Sequence, residues 1–436
     1  MAIEPWLQRA SERVGTRTAV ETPDGSLSYA ELERASGATA VALGVEAGAR
    51  VAIALPGGVD FAIALHACLR AGAIAVPVDV RLAAPERERI AAGCDLVVSE
   101  APPREGAGGP VWRSREADDI AVIIHTSGTS GAPKPVPLSY GNWLWSAIGS
   151  ATALGLDAEE RWLCALPVAH VGGLSILLRS CIYGTTAVVH DRFDCDRVLA
   201  ALHGGTATAV SLVPTTLARL LEAGLSPQPA LRCLLLGGAG AAPSLVREAR
   251  ERGLPVSETY GLTEACSQVA TQSPSLDAGA GAPPLFCTRV RIALQDGEIF
   301  VSGPTVTPAA GEELATGDLG ELDPAGRLQV TGRKSEVIVS GGENVAPAEV
   351  EAVLGEHPAV SEVAVIGISH PEWGEAVRAV VVLGAEASAE ELRAHCAARL
   401  APFKVPKEVL FVRELPRTAS GKLERVRLAR EGPDFV

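Results

Sequence analysis

The sequence predicts an α/β protein whose large N-terminal domain, residues 1–331, is built on mostly parallel sheets covered by helices. Apolar strand-like runs alternate with stretches rich in Ala, Leu, Arg and Glu, which is the pattern of layered α/β proteins. Several runs are apolar on both faces, as expected for parallel strands buried between helices. In chain order the runs lie at 50–55, 73–78, 120–125, 187–190, 209–213 and 233–236.

The pattern changes toward the C-terminus. Short strand-like runs at 298–302 and 328–331 are separated by turns, and they predict a small β-rich subdomain over about 285–331. The remaining residues, 332–436, contain two helical and two strand-like stretches, which predict a small, mobile α+β C-terminal domain. A chain of 436 residues is too long for one compact core. We place a hinge between the domains at about 333–337.

The charge and cysteine patterns limit the classes of partner. A formal net charge of -14 argues against a polyanion bound across the whole surface, so we expect no nucleic-acid partner. The nine cysteines are scattered without a C-x-x-C pair, and the eight histidines lack metal-ligand spacing. Reduced thiols and a cytoplasmic location are the simplest interpretation. The oligomeric state stays open, with a homo-oligomer among the alternatives.

The sequence predicts neither a signal peptide nor a transmembrane segment. Glu4 and Pro5 interrupt the N-terminus before an apolar core develops. The best candidate for a membrane span, 61–78, carries His66 and Arg70 in its middle. We interpret this segment as a buried helix followed by a strand.

Residues 123–134 lead an apolar strand into a turn rich in glycine and hydroxyl side chains, closed by Lys134. Such a turn can hold phosphates, because its backbone can approach the ligand closely, its hydroxyls donate hydrogen bonds and its lysine is positively charged. The residues in question are Thr126, Ser127, Gly128, Thr129, Ser130 and Gly131. A Walker-type loop fits less well, since Pro135 follows the lysine where that motif has a hydroxyl residue. A flexible surface turn is the alternative.

A second candidate nucleotide segment covers 258–264. Here Tyr260 could stack on a base, and Gly261 would allow a close backbone approach. Thr263 could reach a phosphate oxygen, while Glu264 is a hard oxygen ligand suited to Mg²⁺. The alternative interpretation is a strand end with a turn.

Two further segments place a single charged residue beside glycine. Asp318 follows a Thr-Gly pair and can accept hydrogen bonds from a ribose diol, although an Asp after a Gly turn is usually only a turn former. The loop 416–422 presents Lys422, which by itself is typical of a solvated surface lysine. The functional interpretation of Lys422 therefore depends on the other segments.

In this order, the segments resemble those of the adenylate-forming superfamily of acyl-CoA synthetases, firefly luciferases and peptide-synthetase adenylation domains, from residue 27 to Lys422. The resemblance implies two steps. A carboxylic acid attacks the α-phosphate of ATP, giving an acyl-adenylate and pyrophosphate, and CoA thiolate then displaces AMP. ATP, Mg²⁺ and CoA are thus implied. It also implies rotation of the C-terminal domain about a hinge at Glu336, where the superfamily has aspartate.

The resemblance assigns roles to individual residues. The implied catalytic residues are Lys134, His170, Thr263, Glu264 and Lys422, with Glu264 as the metal ligand. The implied ATP-binding residues are Thr126, Ser127, Gly128, Thr129, Ser130, Gly131, Lys134, Gly238, Ala239, Tyr260, Gly261, Thr263, Asp318 and Arg333. The resemblance implies that Gly341 and Gly342 bind CoA.

Shorter strings at 166–184, 263–268 and 281–286 look like those of the o-succinylbenzoate:CoA ligases of menaquinone biosynthesis. Such an aromatic dicarboxylate needs an anion acceptor at the far end of its pocket. Arg179 could supply this charge, with Ser267 as a hydrogen-bond donor. On the same resemblance His170 borders the acyl and thiol channels. The alternatives are a surface or packing arginine and a core histidine.

Three functions remain open from the sequence. The first is an o-succinylbenzoate:CoA ligase. The second is another aryl- or acyl-CoA ligase, with a carrier-protein-loading adenylation enzyme as a variant. The third is a nucleotide-binding protein without turnover, and the joint presence of Lys134, Glu264, Asp318, Arg333 and Lys422 speaks against it.

Overall fold

The computed structural model describes residues 1–106, 112, 115–127, 133–275, 279, 281–340, 342–371, 373–417 and 423–430. The helices are α1 Trp6–Val14, α2 Tyr29–Leu43, α3 Val59–Ala71, α4 Ala84–Ala91, α5 Tyr140–Leu154, α6 Val171–Tyr183, α7 Cys195–His203, α8 Pro214–Glu222, α9 Pro243–Glu251, α10 Pro347–Gly355, α11 Ala389–Ala397 and α12 Arg425–Arg430. Short 3₁₀ helices lie at Thr263–Ala265, Pro308–Ala310, Lys334–Glu336 and Pro402–Lys404.

The strands follow the same chain order. They are β1 Ala2–Ile3, β2 Thr18–Thr22, β3 Gly25–Ser28, β4 Arg50–Ile53, β5 Ile74–Pro77, β6 Leu96–Val98, β7 Arg115–Glu116, β8 Ile120–Ser127, β9 Pro133–Ser139, β10 Arg161–Cys164, β11 Thr186–Val189, β12 Ala209–Leu212, β13 Cys233–Leu236, β14 Val256–Leu262, β15 Ser267–Thr271, β16 Arg289–Ile292, β17 Glu298–Ser302, β18 Leu314–Leu322, β19 Leu328–Arg333, β20 Ile338–Ser340, β21 Glu343–Val345, β22 Val360–His370, β23 Gly374–Leu383 and β24 Glu408–Val412.

Packing divides the chain into two compact units. The first comprises Met1–Gly238, Ala249–Val290 and Val301–Leu314, and the second comprises Ala239–Glu248, Arg291–Phe300 and Ala315–Val436. Much of the β-rich region therefore clusters with the C-terminal residues. The boundary near residue 332 stays a prediction about where the chain bends.

Two sheets form the framework of the first unit. The larger has eight strands in the order β15-β14-β13-β12-β10-β11-β2-β3, and the smaller has five in the order β6-β4-β5-β8-β9. Pairing is parallel from β2 through β14 in the larger sheet and from β6 through β8 in the smaller, with antiparallel pairs at the edges. The predicted α/β class with mostly parallel sheets is confirmed.

The segment proposed as a buried helix and strand has this structure. Helix α3 is buried from Phe61 to Leu69, and Gly72 ends it with a φ of 76°, donating its N–H to the Cys68 and Leu69 carbonyls. Strand β5 follows directly. Among the described residues, no helix is long and apolar enough to cross a membrane.

The second unit is organised around two further sheets. One has the order β16-β17-β18-β19, and the other has β21-β20-β23-β22 with β24 added in parallel to β23. Helices α10 and α11 contact each other and pack on β22 and β24 respectively. Their shared core includes Val350, Val365, Val377 and Leu392. The predicted α+β character of the C-terminal region is confirmed.

Candidate active site

Lys134 lies in the hairpin of β8 and β9, directly opposite Thr126 in the antiparallel register. The Thr126 hydroxyl donates to the Lys134 carbonyl at 3.4 Å, and the lysine side chain is exposed. The strand predicted before the turn is present. The candidate phosphate-binding residues Gly128, Thr129, Ser130 and Gly131, together with the Ser127 side chain, lie outside the described residues.

The second candidate segment begins in β14 and ends in the 3₁₀ helix Thr263–Ala265. A Cβ at Gly261 would lie only 1.7 Å from the Ser267 carbonyl oxygen, so no larger residue fits this backbone. Thr263 and Glu264 occupy the 3₁₀ helix and are partly exposed. A carboxylate and a hydroxyl thus stand on a fixed turn at the end of a strand.

A residue that the sequence gave no reason to select joins these two segments. Thr307 is 3% exposed; its hydroxyl donates to the Pro137 carbonyl in β9 at 2.5 Å, and its N–H donates to the Glu264 carbonyl at 2.7 Å. The 3₁₀ helix also contacts β9 directly. The strand of Lys134 and the turn of Glu264 are therefore one connected substructure. No local motif marks Thr307, because its role depends on two distant carbonyls.

The turn after this 3₁₀ helix has an unusual backbone. Cys266 and Ser267 have φ values of 52° and 91°, in the region that non-glycine residues rarely occupy. Such conformations cost about 1–3 kcal/mol each and persist only where surrounding contacts fix them. The Ser146 hydroxyl supplies one such contact by donating to the Cys266 carbonyl at 2.6 Å.

Arg179 is connected to the same turn from inside the protein. Helix α6 is covered by α1, α5 and strands of the eight-stranded sheet, which leaves Arg179 only 2% exposed. Its Nη2 donates to the Ser146 hydroxyl at 2.9 Å, whereas its Nε has no partner among the described residues. Burial lowers the pKa of this guanidinium. The surface-arginine alternative is wrong, and the packing alternative remains.

The groups described around Arg179 include polar side chains but no carboxylate that would balance its positive charge. Tyr183, Cys266 and Cys287 are its electrostatic neighbours, and no carboxylate within the described part of the chain pairs with it. Strand β15 contacts α6 and carries Gln268, which is 1% exposed and whose amide oxygen and nitrogen both lack a described partner. Buried polar groups in proteins are normally hydrogen-bonded to protein, water or a ligand.

His170 precedes α6 as its N-cap residue, and 44% of its side chain is exposed, so the core-histidine alternative is wrong. Its Nε2 lies 3.3 Å from Asp79 Oδ2 and 3.5 Å from Arg81 Nη2. Although burial would raise the pKa of Asp79, hydrogen bonds from Arg81 and His170 hold it well below its usual range.

Gly238 and Ala239 follow the carboxyl end of β13, and Gly238 has a φ of 80°. The adjacent Gly237 lies against Thr259, since a Cβ on it would meet the Thr259 carbonyl at 3.0 Å. Gly238 and Tyr260 therefore stand at one edge of the eight-stranded sheet. Carboxyl ends of parallel strands are the usual position for ligands in α/β folds.

In the second unit, Asp318 and Arg333 are paired across β18 and β19, with Arg333 Nε 2.7 Å from Asp318 Oδ1. Asp318 is 7% exposed. The predicted Gly turn before Asp318 is wrong, because Gly317 with its φ of 72° lies inside β18. The structure brings two predicted nucleotide ligands into direct contact, which separate sequence segments could not show.

Glu336 lies in the 3₁₀ helix Lys334–Glu336, where its carboxylate is 3.1 Å from Arg425 Nε. Arg425 also binds Glu351. Gly342 has a φ of 85° next to β21. The other predicted residues of this region, Gly341 and Lys422, lie outside the described residues.

The fold and these sites define an AMP-binding enzyme, and the chain belongs to that family. Residues 7–101 and 97–309 match the AMP-binding enzyme model, and residues 349–422 match the AMP-binding enzyme C-terminal domain. The predicted superfamily is confirmed.

Individual proteins that are similar to this chain share a narrower enzyme name. The 2-succinylbenzoate–CoA ligase of Bacillus licheniformis is 38% identical, with 97% of this chain and 98% of the relative covered, and that of Bacillus subtilis is 37% identical, with 98% of each covered. The solved structure of Bacillus subtilis o-succinylbenzoate CoA synthetase with the acyl-adenylate intermediate OSB-AMP has a TM-score of 0.89 at 36% identity, covering 99% of both chains. The same enzyme with ATP and a magnesium ion has a TM-score of 0.87 at 36% identity, covering 98% of this chain and 100% of that one.

Proposed function

We propose that this protein is an ATP-dependent acid:CoA ligase that converts o-succinylbenzoate to o-succinylbenzoyl-CoA, as expected in menaquinone biosynthesis. The near full-length similarity to 2-succinylbenzoate–CoA ligases supports the reaction. The related structures with OSB-AMP and with ATP and magnesium support an acyl-adenylate route. The nine free thiols fit a reducing compartment, and we infer a cytoplasmic location.

In the first step a substrate carboxylate oxygen bonds to the α-phosphorus of ATP, and pyrophosphate leaves. The ammonium of Lys134 and a magnesium ion held by Glu264 would neutralise the charge on the leaving group. The Thr263 hydroxyl would donate to a phosphate oxygen. The Thr307 bridge supports this arrangement, because it fixes the strand of Lys134 against the turn of Glu264. Lys422 would bridge the carboxylate and the α-phosphate.

The nucleoside would be held by groups that bind the base and the ribose and take no part in bond making or breaking. Tyr260 would stack on the base beside Gly238 and Ala239, whose backbone follows β13. Asp318 would accept hydrogen bonds from the ribose diol. Its contact with Arg333 supports this role, since a guanidinium neighbour fixes the direction of a nearly buried carboxylate.

In the second step the CoA thiolate attacks the acyl carbon and AMP leaves. Gly341 and Gly342 would contact CoA, and His170 would border the acyl and thiol groups. Rotation about Glu336 would exchange the groups that serve the two steps. No protein side chain becomes covalently attached, so the protein acts by positioning and by stabilising charge.

Arg179 is the observation that carries the choice of acid. A buried cation without a described carboxylate partner is costly, and a second carboxylate on the substrate would balance it. Ser267 lies beside Cys266, whose carbonyl is linked to Arg179 through Ser146. A dicarboxylic acid fits this arrangement better than a fatty acid, which offers no second anion.

The test is a panel of acids assayed for CoA-dependent release of AMP. The panel contains o-succinylbenzoate, 3-benzoylpropionate, benzoate and a fatty acid, with reactions lacking CoA or containing a magnesium chelator as controls. We expect o-succinylbenzoate to have the highest kcat/KM. Benzoylpropionate, which lacks only the ring carboxylate, should be poorer by about 10- to 150-fold. A clear preference for benzoate or the fatty acid would overturn the substrate while leaving the ligase class.

A further inference from the structure

Asp79 occupies the loop after β5, and its side chain is 10% exposed. Oδ1 accepts from Arg81 N at 3.0 Å and Arg81 Nε at 2.9 Å. Oδ2 accepts from Arg81 Nη2 at 2.6 Å and lies 3.3 Å from His170 Nε2. The carboxylate is thus held on one side by a residue two positions away and faces the imidazole on the other.

The groups around Asp79 determine which of them donate hydrogen bonds and which accept them. Arg81 binds Asp79 bidentately and fixes the carboxylate plane. The low pKa of Asp79 keeps it an acceptor only. His170 Nε2 lies 3.3 Å from Asp79 Oδ2, so a protonated Nε2 can donate to the carboxylate, whereas an unprotonated Nε2 would turn its lone pair toward an anionic oxygen. Arg81 Nη2, at 3.5 Å from the same nitrogen, can only donate and would be the partner of Nε2 in the opposite tautomer; the closer contact with the carboxylate favours the Nε2–H form.

We propose that Asp79, fixed by Arg81, is a positioning residue that holds His170 in one ring orientation and in the Nε2–H tautomer. The proposal rests on the proposed function, in which His170 borders the acyl and thiol groups. With Nε2 committed to Asp79, the neutral ring presents Nδ1 as its acceptor to its surroundings. The Asp79 clamp, meaning Asp79 with Arg81, would therefore determine which ring atom meets the incoming thiol.

The variant Asp79→Asn tests the tautomer directly, because the geometry predicts how the amide will lie. The Oδ1 position faces two donors from Arg81 and the Oδ2 position faces one, so the amide oxygen should take the Oδ1 position. The amide NH₂ then takes the Oδ2 position, where Arg81 Nη2 can no longer donate and must turn away, and it donates toward His170 Nε2. The ring must accept there and move its proton to Nδ1.

Two-dimensional NMR of the full chain labelled with ¹⁵N-histidine, recorded at about pH 8.5 where imidazole is ordinarily neutral, reads out the tautomer. The His170 signals are assigned by their loss in His170→Asn. We expect the Nε2–H pattern in the wild type and the Nδ1–H pattern in Asp79→Asn. A wild-type Nδ1–H pattern, or the same pattern in both proteins, would overturn the clamp.

The kinetic test is a double-mutant cycle on the second half-reaction, in which supplied acyl-adenylate reacts with CoA. We expect Asp79→Asn to slow this step by about 10- to 100-fold. In a His170→Asn background the same change should have less than about a twofold further effect, because Asp79 acts through the histidine. Additive losses would show that Asp79 serves the structure instead and would overturn the proposal.

Asp60→Asn is the matched control, since Asp60 pairs with Arg104 at 2.8 Å in a more exposed Asp–Arg pair without a histidine. This variant should keep the wild-type rate and the wild-type NMR pattern. A wild-type protein that forms no acyl-CoA from any acid would contradict the proposed function, whereas the NMR comparison would still decide the clamp. The two failures are therefore distinguishable.

Discussion

Replacing Arg179 by methionine removes a charge from the interior while keeping most of the volume of the side-chain stem. In the structure the guanidinium has a hydrogen bond to Ser146, and its charge has no described carboxylate partner. Ser146 keeps its second contact, because its hydroxyl still donates to the Cys266 carbonyl at 2.6 Å. We therefore expect Arg179→Met to fold and to preserve the turn at Cys266 and Ser267.

The expected loss of activity follows from the burial of Arg179. A charge-assisted hydrogen bond from a group only 2% exposed to the second substrate carboxylate is worth about 1.5–3 kcal/mol. That free energy corresponds to about 10- to 150-fold in kcat/KM. An acid without the ring carboxylate never makes this contact, so its kcat/KM should change by less than about threefold.

The assay compares o-succinylbenzoate with 3-benzoylpropionate in the wild type, in Arg179→Met and in Ser146→Ala. The serine variant is the control for packing, because it breaks the link from Arg179 to the turn but leaves the charge in place. It should affect both acids to the same extent. Equal losses for both acids in Arg179→Met would refute the reasoning and assign Arg179 to packing.

The remaining predictions concern catalysis, nucleotide binding and stability. Lys422→Ala should abolish acid-dependent pyrophosphate exchange yet still convert supplied acyl-adenylate and CoA, because its charge is needed only during attack on the α-phosphate; equal loss of both half-reactions would remove it from this role. Asp318→Ala should weaken ATP binding by about 1–3 kcal/mol in a calorimetric titration, since the ribose diol loses its acceptor, and an unchanged affinity would argue against ribose contact. His66 is 2% exposed, and burial lowers its pKa from 6.5 to about 4. Below pH 6.5 the His66 imidazole therefore binds a proton in the unfolded chain but stays neutral in the native state. The free energy of unfolding should for this reason fall by about 3 kcal/mol between pH 7 and pH 4. Denaturant unfolding of His66→Leu should lack this part of the pH dependence, and an identical pH profile for both proteins would place the acid sensitivity elsewhere.

The fold class could be predicted because local patterns encode it. Runs apolar on both faces become the parallel strands β4, β5, β12 and β13, since such strands are stable only when helices cover both sides of a sheet. The segment 61–78 was recognisable as a helix and a strand, because glycine permits the left-handed backbone that ends the helix. These features depend on residues that are close in sequence.

The sequence also predicted residues that could bind ATP, CoA and an acid, and the family match supports the class of chemistry. It did not determine how they are connected. Thr307 joins β9 to the 3₁₀ helix of Glu264, and Asp318 meets Arg333 inside a strand pair and not at a turn. Neither contact has a local sequence signal.

The partners of buried and half-buried polar groups were decided by tertiary structure alone. Arg179 could be assigned either to the surface or to the interior from the sequence, and only the packing of α6 on all sides makes it a buried cation. Arg81 and His170 are 89 positions apart, and the fold brings both to Asp79. Apolar burial follows from local periodicity, because it is non-directional. Hydrogen bonds and ion pairs need particular atoms at particular distances, and the sequence specifies those distances only once the whole chain has folded.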